Sequence, residues 1–234
     1  MHQMIGTVEA LWRYPVKSLL GEPCPSLHVE SRGVAGDRLY AVRDQEGKFG
    51  SGKNTRRFRK IDGLFDFRSL YRDDAPIIVF PDGTEQDALH PETARALSQY
   101  LQQPVTVARE AEIPHHDAAP VHIITSAGLD ALRRAFPDTG IDERRFRPNL
   151  LLRVDGDEPI EHHWVGRQLK IGGVVLEITE LAERCVMTTF AQADLPRVPS
   201  LLKHLADAYR MNFGVYAKVL QGGRLDLQNE VELL

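Results

Sequence analysis

The residue with the most pointed chemistry in this 234-residue chain is Cys185, in the stretch Glu183-Arg184-Cys185-Val186-Met187-Thr188-Thr189-Phe190. It follows Val174-Val175-Leu176-Glu177-Ile178, a β-branched run that reads as a buried strand. A thiol just past a strand end and beside an arginine favours its thiolate, the form that attacks electrophiles or binds soft metals. Thr188 and Thr189 are expected to offer hydroxyls to an anionic ligand. The alternative is a small buried hydrophobe, the commonest fate of a free cysteine.

A second group is cationic. Lys17-Ser18, at a strand-to-loop corner, reads as a small anion site holding a phosphate by charge and hydrogen bond. Arg38 either pairs with Asp37 or clamps an anion. In Arg144-Arg145-Phe146-Arg147-Pro148-Asn149 the proline restricts Arg147 towards extended backbone, so Arg147 and Asn149 are expected to point to one side. They would offer a guanidinium fork and an amide to a polar heterocycle; a solvated arginine face is the other reading. The basic stretch from Lys53 to Lys60 holds one aromatic, Phe58, too few for a single-strand nucleic-acid platform. A solvated edge or a wall of an anion pocket fits it better. His115-His116 and His162-His163 lack zinc-site spacing. Pairing Cys185 with His162 or His163 as a protease-like couple has no local motif behind it.

These residues must be positioned by many short strands. Residues 4–12, 27–30, 37–42, 64–71, 77–80, 105–107, 150–152, 168–171, 174–178 and 215–219 read as strands. Asp44 to Gly47 is hairpin-turn chemistry. Three helices are expected: one from Pro91 carrying Ala94, Leu97 and Leu101, one capped by Thr125, and one carrying Leu201, Leu202, Leu205 and Tyr209. The pattern predicts a mainly β (α+β) architecture, barrel-like with a few peripheral helices. A proline- and histidine-bearing shift between Glu110 and Pro120 suggests two domains, 1–112 and 113–234.

Composition bounds the function. Hydrophobic content of 42% and charged content of 26% are those of an ordinary globular protein, and the net charge of -4 argues against a dedicated nucleic-acid binder. Two cysteines, Cys24 and Cys185, supply neither a disulfide framework nor the ligands of an iron–sulfur cluster. The N-terminus lacks a signal-peptide pattern and no apolar run reaches a membrane span, so a cytoplasmic location without membrane contact is expected.

Taken in order, Tyr14-Pro15-Val16-Lys17-Ser18, Gly36-Asp37-Arg38, Phe146-Arg147-Pro148-Asn149 and Arg184-Cys185-Val186-Met187-Thr188-Thr189 resemble the molybdenum cofactor sulfurase C-terminal (MOSC) family with its N-terminal β-barrel companion. Its best-studied relatives are the mitochondrial amidoxime-reducing component and similar bacterial reductases. The closing run from Phe213-Gly214 to Leu234 also resembles that family's last strands. The resemblance implies a MOSC-type β-barrel behind an N-terminal β-barrel sub-domain. It implies a molybdenum cofactor (Mo-molybdopterin) whose metal is held by Cys185. Lys17, Ser18 and Arg38 would then hold its phosphate end, and Arg147, Asn149 and Arg184 would contact the pterin. Asp117 falls where relatives carry an acid near the metal. The chain departs from the pattern at Ala118 and Ala119, where some relatives have hydroxyls, and in the loop from Ser51 to Arg56. The implied activity is reduction of small N-hydroxylated or N-oxide substrates, with electrons from a separate ferredoxin-like or flavin reductase partner. Two other readings stand beside it: a sulfur carrier bearing a Cys185 persulfide, and a cofactor-binding protein without turnover.

Overall fold

The computed structural model describes residues 3–234. The chain packs as two compact units whose segments interleave. Among the described residues, one comprises 3–12, 23–35 and 117–234; the other comprises 13–22 and 36–116.

The first unit is built on a closed seven-stranded barrel. Around it run Gln3–Arg13, Leu150–Val154, Val121–Thr125, Asn212–Gln221, Val174–Glu183, Gln168–Ile171 and Glu230–Leu233, which pairs back onto Gln3–Arg13. Every neighbouring pair is antiparallel except Val121–Thr125 with Leu150–Val154. That parallel pair requires a crossover, and helix α2 (Ser126–Ala135) supplies it. Thr125 caps α2 by accepting a hydrogen bond from Gly128 N at 3.2 Å, as its residue type and position predict.

Alternation along the strands explains the barrel interior. Val174, Leu176 and Ile178 are buried while Val175 and Glu177 are partly exposed, the period-2 pattern of a one-sided strand. Leu150-Leu151-Leu152 and Val121–Thr125 break that alternation and are buried throughout. Both strands are covered on two faces. Leu150, Leu152, Val121 and Ile123 enter the barrel core with Val8, Leu11 and Val231. Leu151 and Ile124 face outward into a second core with Leu129 and Leu132 of α2 and with Leu201 and Leu205 of α3 (Ser200–Tyr209).

The other unit has its own core of Val16, Leu19, Val42, Phe67, Ile78 and Leu97. The sheet beneath it joins Val105–Arg109, Tyr40–Asp44, Phe49–Ser51 and Phe58–Lys60, with Val16–Lys17 parallel to Tyr40–Asp44. A three-stranded meander (Arg68–Arg72, Ala75–Val79, Glu85–Asp87) and helix α1 (Pro91–Tyr100) complete it.

The structure corrects some expected strands. Asp37 to Leu39 forms a turn, and the strand begins at Tyr40. Leu64–Asp66 is a 3₁₀ turn after Gly63, whose left-handed φ of 85° turns the chain; the strand starts at Arg68. Among the described residues no helix is long and apolar enough to cross a membrane.

Candidate functional site

In the barrel unit, Val174–Glu183 ends beside Asn212, and Arg184 N donates to Met211 O at 2.7 Å. Cys185 then sits in extended backbone (φ -120°, ψ 177°) immediately before a 3₁₀ turn, Val186–Thr189. Its side chain is half-buried and its thiol is free of any disulfide. The two threonines behave differently from the sequence expectation. Thr188 Oγ1 donates to Cys185 O at 2.9 Å and Thr189 Oγ1 to Val186 O at 2.7 Å, and both residues are buried. A hydroxyl has one proton to give, so these hydroxyls brace the turn and have no donor left for an anion.

Arg184 turns its guanidinium to the barrel rather than simply flanking the thiol. Nη2 donates to Phe146 O at 2.8 Å, Nη1 lies 3.3 Å from His122 Nε2, and the head sits over the Phe146 ring. Its Nε is buried without a hydrogen-bond partner among the described residues. His122 links this group to the other barrel candidates. Its Nδ1 lies 3.4 Å from Arg147 O, and its backbone N donates to Asn149 Oδ1 at 3.1 Å. Donation from Arg184 into Nε2 leaves the proton on Nδ1, facing the Arg147 carbonyl; the two contacts are mutually consistent for a neutral ring.

Asn149 is 1% exposed. Its amide spans from His122 N to Trp12 O, where Nδ2 donates at 3.3 Å, so it ties neighbouring barrel strands together. Arg147 is not extended as its proline neighbour suggested; its φ is 56°. The cause is local. Arg147 N donates back to Arg144 O at 3.2 Å, closing the turn that follows Glu143–Arg145, and the chain must reverse there to enter Leu150–Val154. Arg144 is held by Asp142 and Asp194, which raise its affinity for its proton well above the ordinary guanidinium range. Asp117 lies on the exposed start of the barrel unit's long C-terminal segment.

Lys17, Ser18 and Arg38 lie in the other unit, all at least nine-tenths buried. Lys17 Nζ donates to His115 O at 2.7 Å, and Ser18 Oγ to Gly50 O at 2.7 Å. Arg38 forms an ion pair with fully buried Asp37 and stacks 4.9 Å from the Tyr14 ring. Asp37 also accepts from Tyr14 N at 2.8 Å. Of the two readings of Asp37-Arg38, the structural ion pair is present.

Backbone conformation singles out these residues in a second way. Ser18, Arg38 and Arg147, with φ of 69°, 49° and 56°, are three of ten described non-glycine residues in the left-handed region. That conformation costs roughly 1 kcal/mol per residue and persists where surroundings impose it, often at binding sites.

His122 is the contributor that residue reasoning missed. Its signal was present: a histidine in mid-strand, between Val121 and Ile123, in the wholly buried Val121–Thr125, whose other polar residue, Thr125, is the cap of α2. Among the described residues, no group of three or more His, Cys, Asp and Glu side chains is placed to hold a metal ion. A half-buried free thiol suits a soft metal.

A MOSC domain profile matches residues 110–232, and a MOSC N-terminal beta barrel domain profile matches residues 5–103. Mitochondrial amidoxime-reducing component 1 from Homo sapiens is 25% identical over 232 residues, covering 80% of this chain and 67% of that protein. Its counterpart from Mus musculus is 22% identical over 229 residues, covering 80% and 66%. This chain thus spans about two thirds of the length of those relatives. The crystal structure of the YuaD protein from Bacillus subtilis superposes with a TM-score of 0.52 at 11% identity, covering 100% of this chain and 98% of that one. That likeness is one of fold.

Proposed function

Because this chain belongs to the MOSC domain family, and so has a molybdenum-cofactor-related function, we propose that it is a molybdenum-cofactor oxidoreductase acting on small N-hydroxylated or N-oxide compounds. The observation that carries the reading is the free Cys185 thiol, half-buried just past the end of a barrel strand and following Arg184, whose guanidinium is braced by Phe146 O and His122. The amidoxime-reducing name of the two mammalian relatives supplies the substrate class.

When bound, the cofactor would supply two-electron chemistry at its metal. The protein's part is to bind, orient and tune that group. Cys185 would hold the metal through its thiolate, and Arg184 would keep positive charge beside it. His122 would hold Arg184 in place as a positioning residue. Arg147 and Asn149 would contact the pterin, and Lys17 and Arg38 would hold the phosphate; the Ser18 hydroxyl, expected to join them, gives its one proton to Gly50 O and would not donate to it. Asp117, exposed on its loop, would orient the substrate or pass on a proton. The overall reaction breaks the substrate N–O bond, consumes two electrons and two protons, and releases water. The electrons would come from a separate ferredoxin-like or flavin reductase partner.

The deciding experiment is metal analysis of protein produced in a host that makes the cofactor, beside Cys185→Ala. The expected result is near-stoichiometric molybdenum in the parent and its loss in the variant, with N-hydroxylamine reduction by an artificial donor lost in parallel. A folded parent without molybdenum, under adequate supply, would overturn the proposal. Mass spectrometry of Cys185 for a persulfide would then test sulfur carriage, and molybdenum without turnover would point to a binding protein.

A further inference from the structure

Arg145 is 1% exposed, yet its charge has no ion pair among the described residues, whereas its neighbour Arg144 is held by Asp142 and Asp194. A guanidinium taken out of water without a carboxylate is costly, and it persists only where the fold uses its donors. Here Nη1 donates to Phe190 O at 3.2 Å and Nη2 to Pro196 O at 2.6 Å. Those two carbonyls bracket a short flap. Within it Gln192 and Leu195 exchange backbone hydrogen bonds at 3.0 and 2.8 Å around Ala193, which is left-handed at φ 48°. Val198 N closes the base of the flap on Thr189 O at 2.9 Å, and Arg144 Nη1 holds its tip at Asp194 Oδ1, 2.7 Å away.

The next residue grips the other side of Cys185. Phe146 O accepts from Arg184 Nη2 at 2.8 Å, and the fully buried Phe146 ring, packed on Phe213, lies 5.9 Å from the same guanidinium. Arg145 and Phe146 thus hold the two ends of the segment 184–190. Inside that segment Cys185 O accepts from Thr188 N at 3.2 Å and from Thr188 Oγ1 at 2.9 Å, which joins the cysteine to the turn that Phe190 ends. Both anchors come from one dipeptide, itself fixed where Arg145 N donates to Asp142 O and Phe146 N to Glu143 O. A planar fork reaches two carbonyls at once; a lysine ammonium is a single point on a flexible stem.

We propose that Arg145 is a positioning residue for the Cys185 thiol, fixing the chain after the Val186–Thr189 turn while Phe146 fixes Arg184 before it. The proposal deepens, and rests on, the reading of Cys185 as the residue that holds the metal. Loss of the fork releases both carbonyls of the flap, so the turn loosens and the thiol becomes more accessible.

The test is the rate of alkylation by iodoacetamide in the full chain, produced in a host that does not make the cofactor and followed by mass spectrometry at each cysteine separately. Cys24, half-buried in the same unit and packed against the barrel core, reports any general loosening. In Arg145→Gln the Cys185 rate is expected to rise at least fivefold, with the Cys24 rate unchanged within twofold. Arg145→Lys, which keeps the charge but not the fork, is expected to raise the Cys185 rate at least threefold. A Cys185 rate within twofold of wild type overturns the proposal, and so does an equal rise at both thiols. Circular dichroism melts verify folding; should Arg145→Gln fail to fold, Arg145→Lys decides alone. Neither metal nor turnover enters this measurement, so its failure is distinct from a failure of the metal analysis that tests the reductase reading.

Discussion

Arg184 shows how a side chain's neighbours decide what its charge does. Two of its donors are committed to Phe146 O and His122, so the charge is fixed in place. Glu161 is the opposite case, an acid whose burial favours its neutral form. It is fully buried, accepts from Thr125 Oγ1 at 2.5 Å, and has its other oxygen unmatched among the described residues. Burial pushes its carboxyl up to about 7, against the opposing pull of the Thr125 hydrogen bond. In the unfolded chain the group ionises near its ordinary value of 4.5. Between those values the folded state holds more protons, so this group's stabilisation is full below pH 4.5 and is lost as pH rises through about 7. His115 has the reverse sign: burial first, then Arg43, depresses it to about 4, and stability is lost as pH falls from 6.5 towards that value. Glu161→Gln should therefore remove a fall in stability of roughly 2–3 kcal/mol between pH 5 and pH 8. Urea titrations at both pH values measure it, and an unchanged pH dependence would refute the assignment.

At the scale of elements, the strand Asn212–Gln221 is threaded past its neighbour by one glycine. Gly214 has φ of 82°, and a Cβ there would lie 2.6 Å from Ile123 O and 2.7 Å from His122 Nε2. Both the left-handed backbone and the close approach exclude a side chain. Gly214→Ala should cost about 2–4 kcal/mol. Gly83→Ala, with a similar φ of 86° but open space around it, should cost about 1 kcal/mol. Denaturant midpoints compare the two directly; equal losses would mean that backbone conformation alone matters at Gly214.

At the scale of the whole molecule, the barrel is not a product of one contiguous segment. Gln3–Arg13 pairs with Leu150–Val154 on one side and Glu230–Leu233 on the other, closing the sheet. Residues 113–234 expressed alone would lack that strand and present two open edges, with Leu150, Leu152 and Val231 bared to water. We expect that fragment to be aggregated or without dispersed amide signals by NMR. A well-folded monomer would show that the first strand is dispensable.

What residue order alone determined here was local and short-ranged. Proline at the start of α1, Thr125 as a cap, the Asp44–Gly47 turn and the barrel strands follow from periodicity and turn chemistry, which act over a few residues. The family was legible as well, because the types and order of the candidate residues carry its pattern. Other features depended on contacts across long stretches of sequence. The return of Gln3–Arg13 to the C-terminal barrel is one, since strand pairing partners leave no local mark. The left-handed turn at Arg147 is another; a proline neighbour biases the backbone, but the hydrogen bond back to Arg144 O sets it. The same holds for Thr188 and Thr189, whose hydroxyls brace their own turn, and for Arg38, which pairs with buried Asp37. A side chain's type states what it is able to bind. Only tertiary packing decides whether its donors are already spent, because the competing partner comes from wherever the fold brings a backbone carbonyl or a carboxylate.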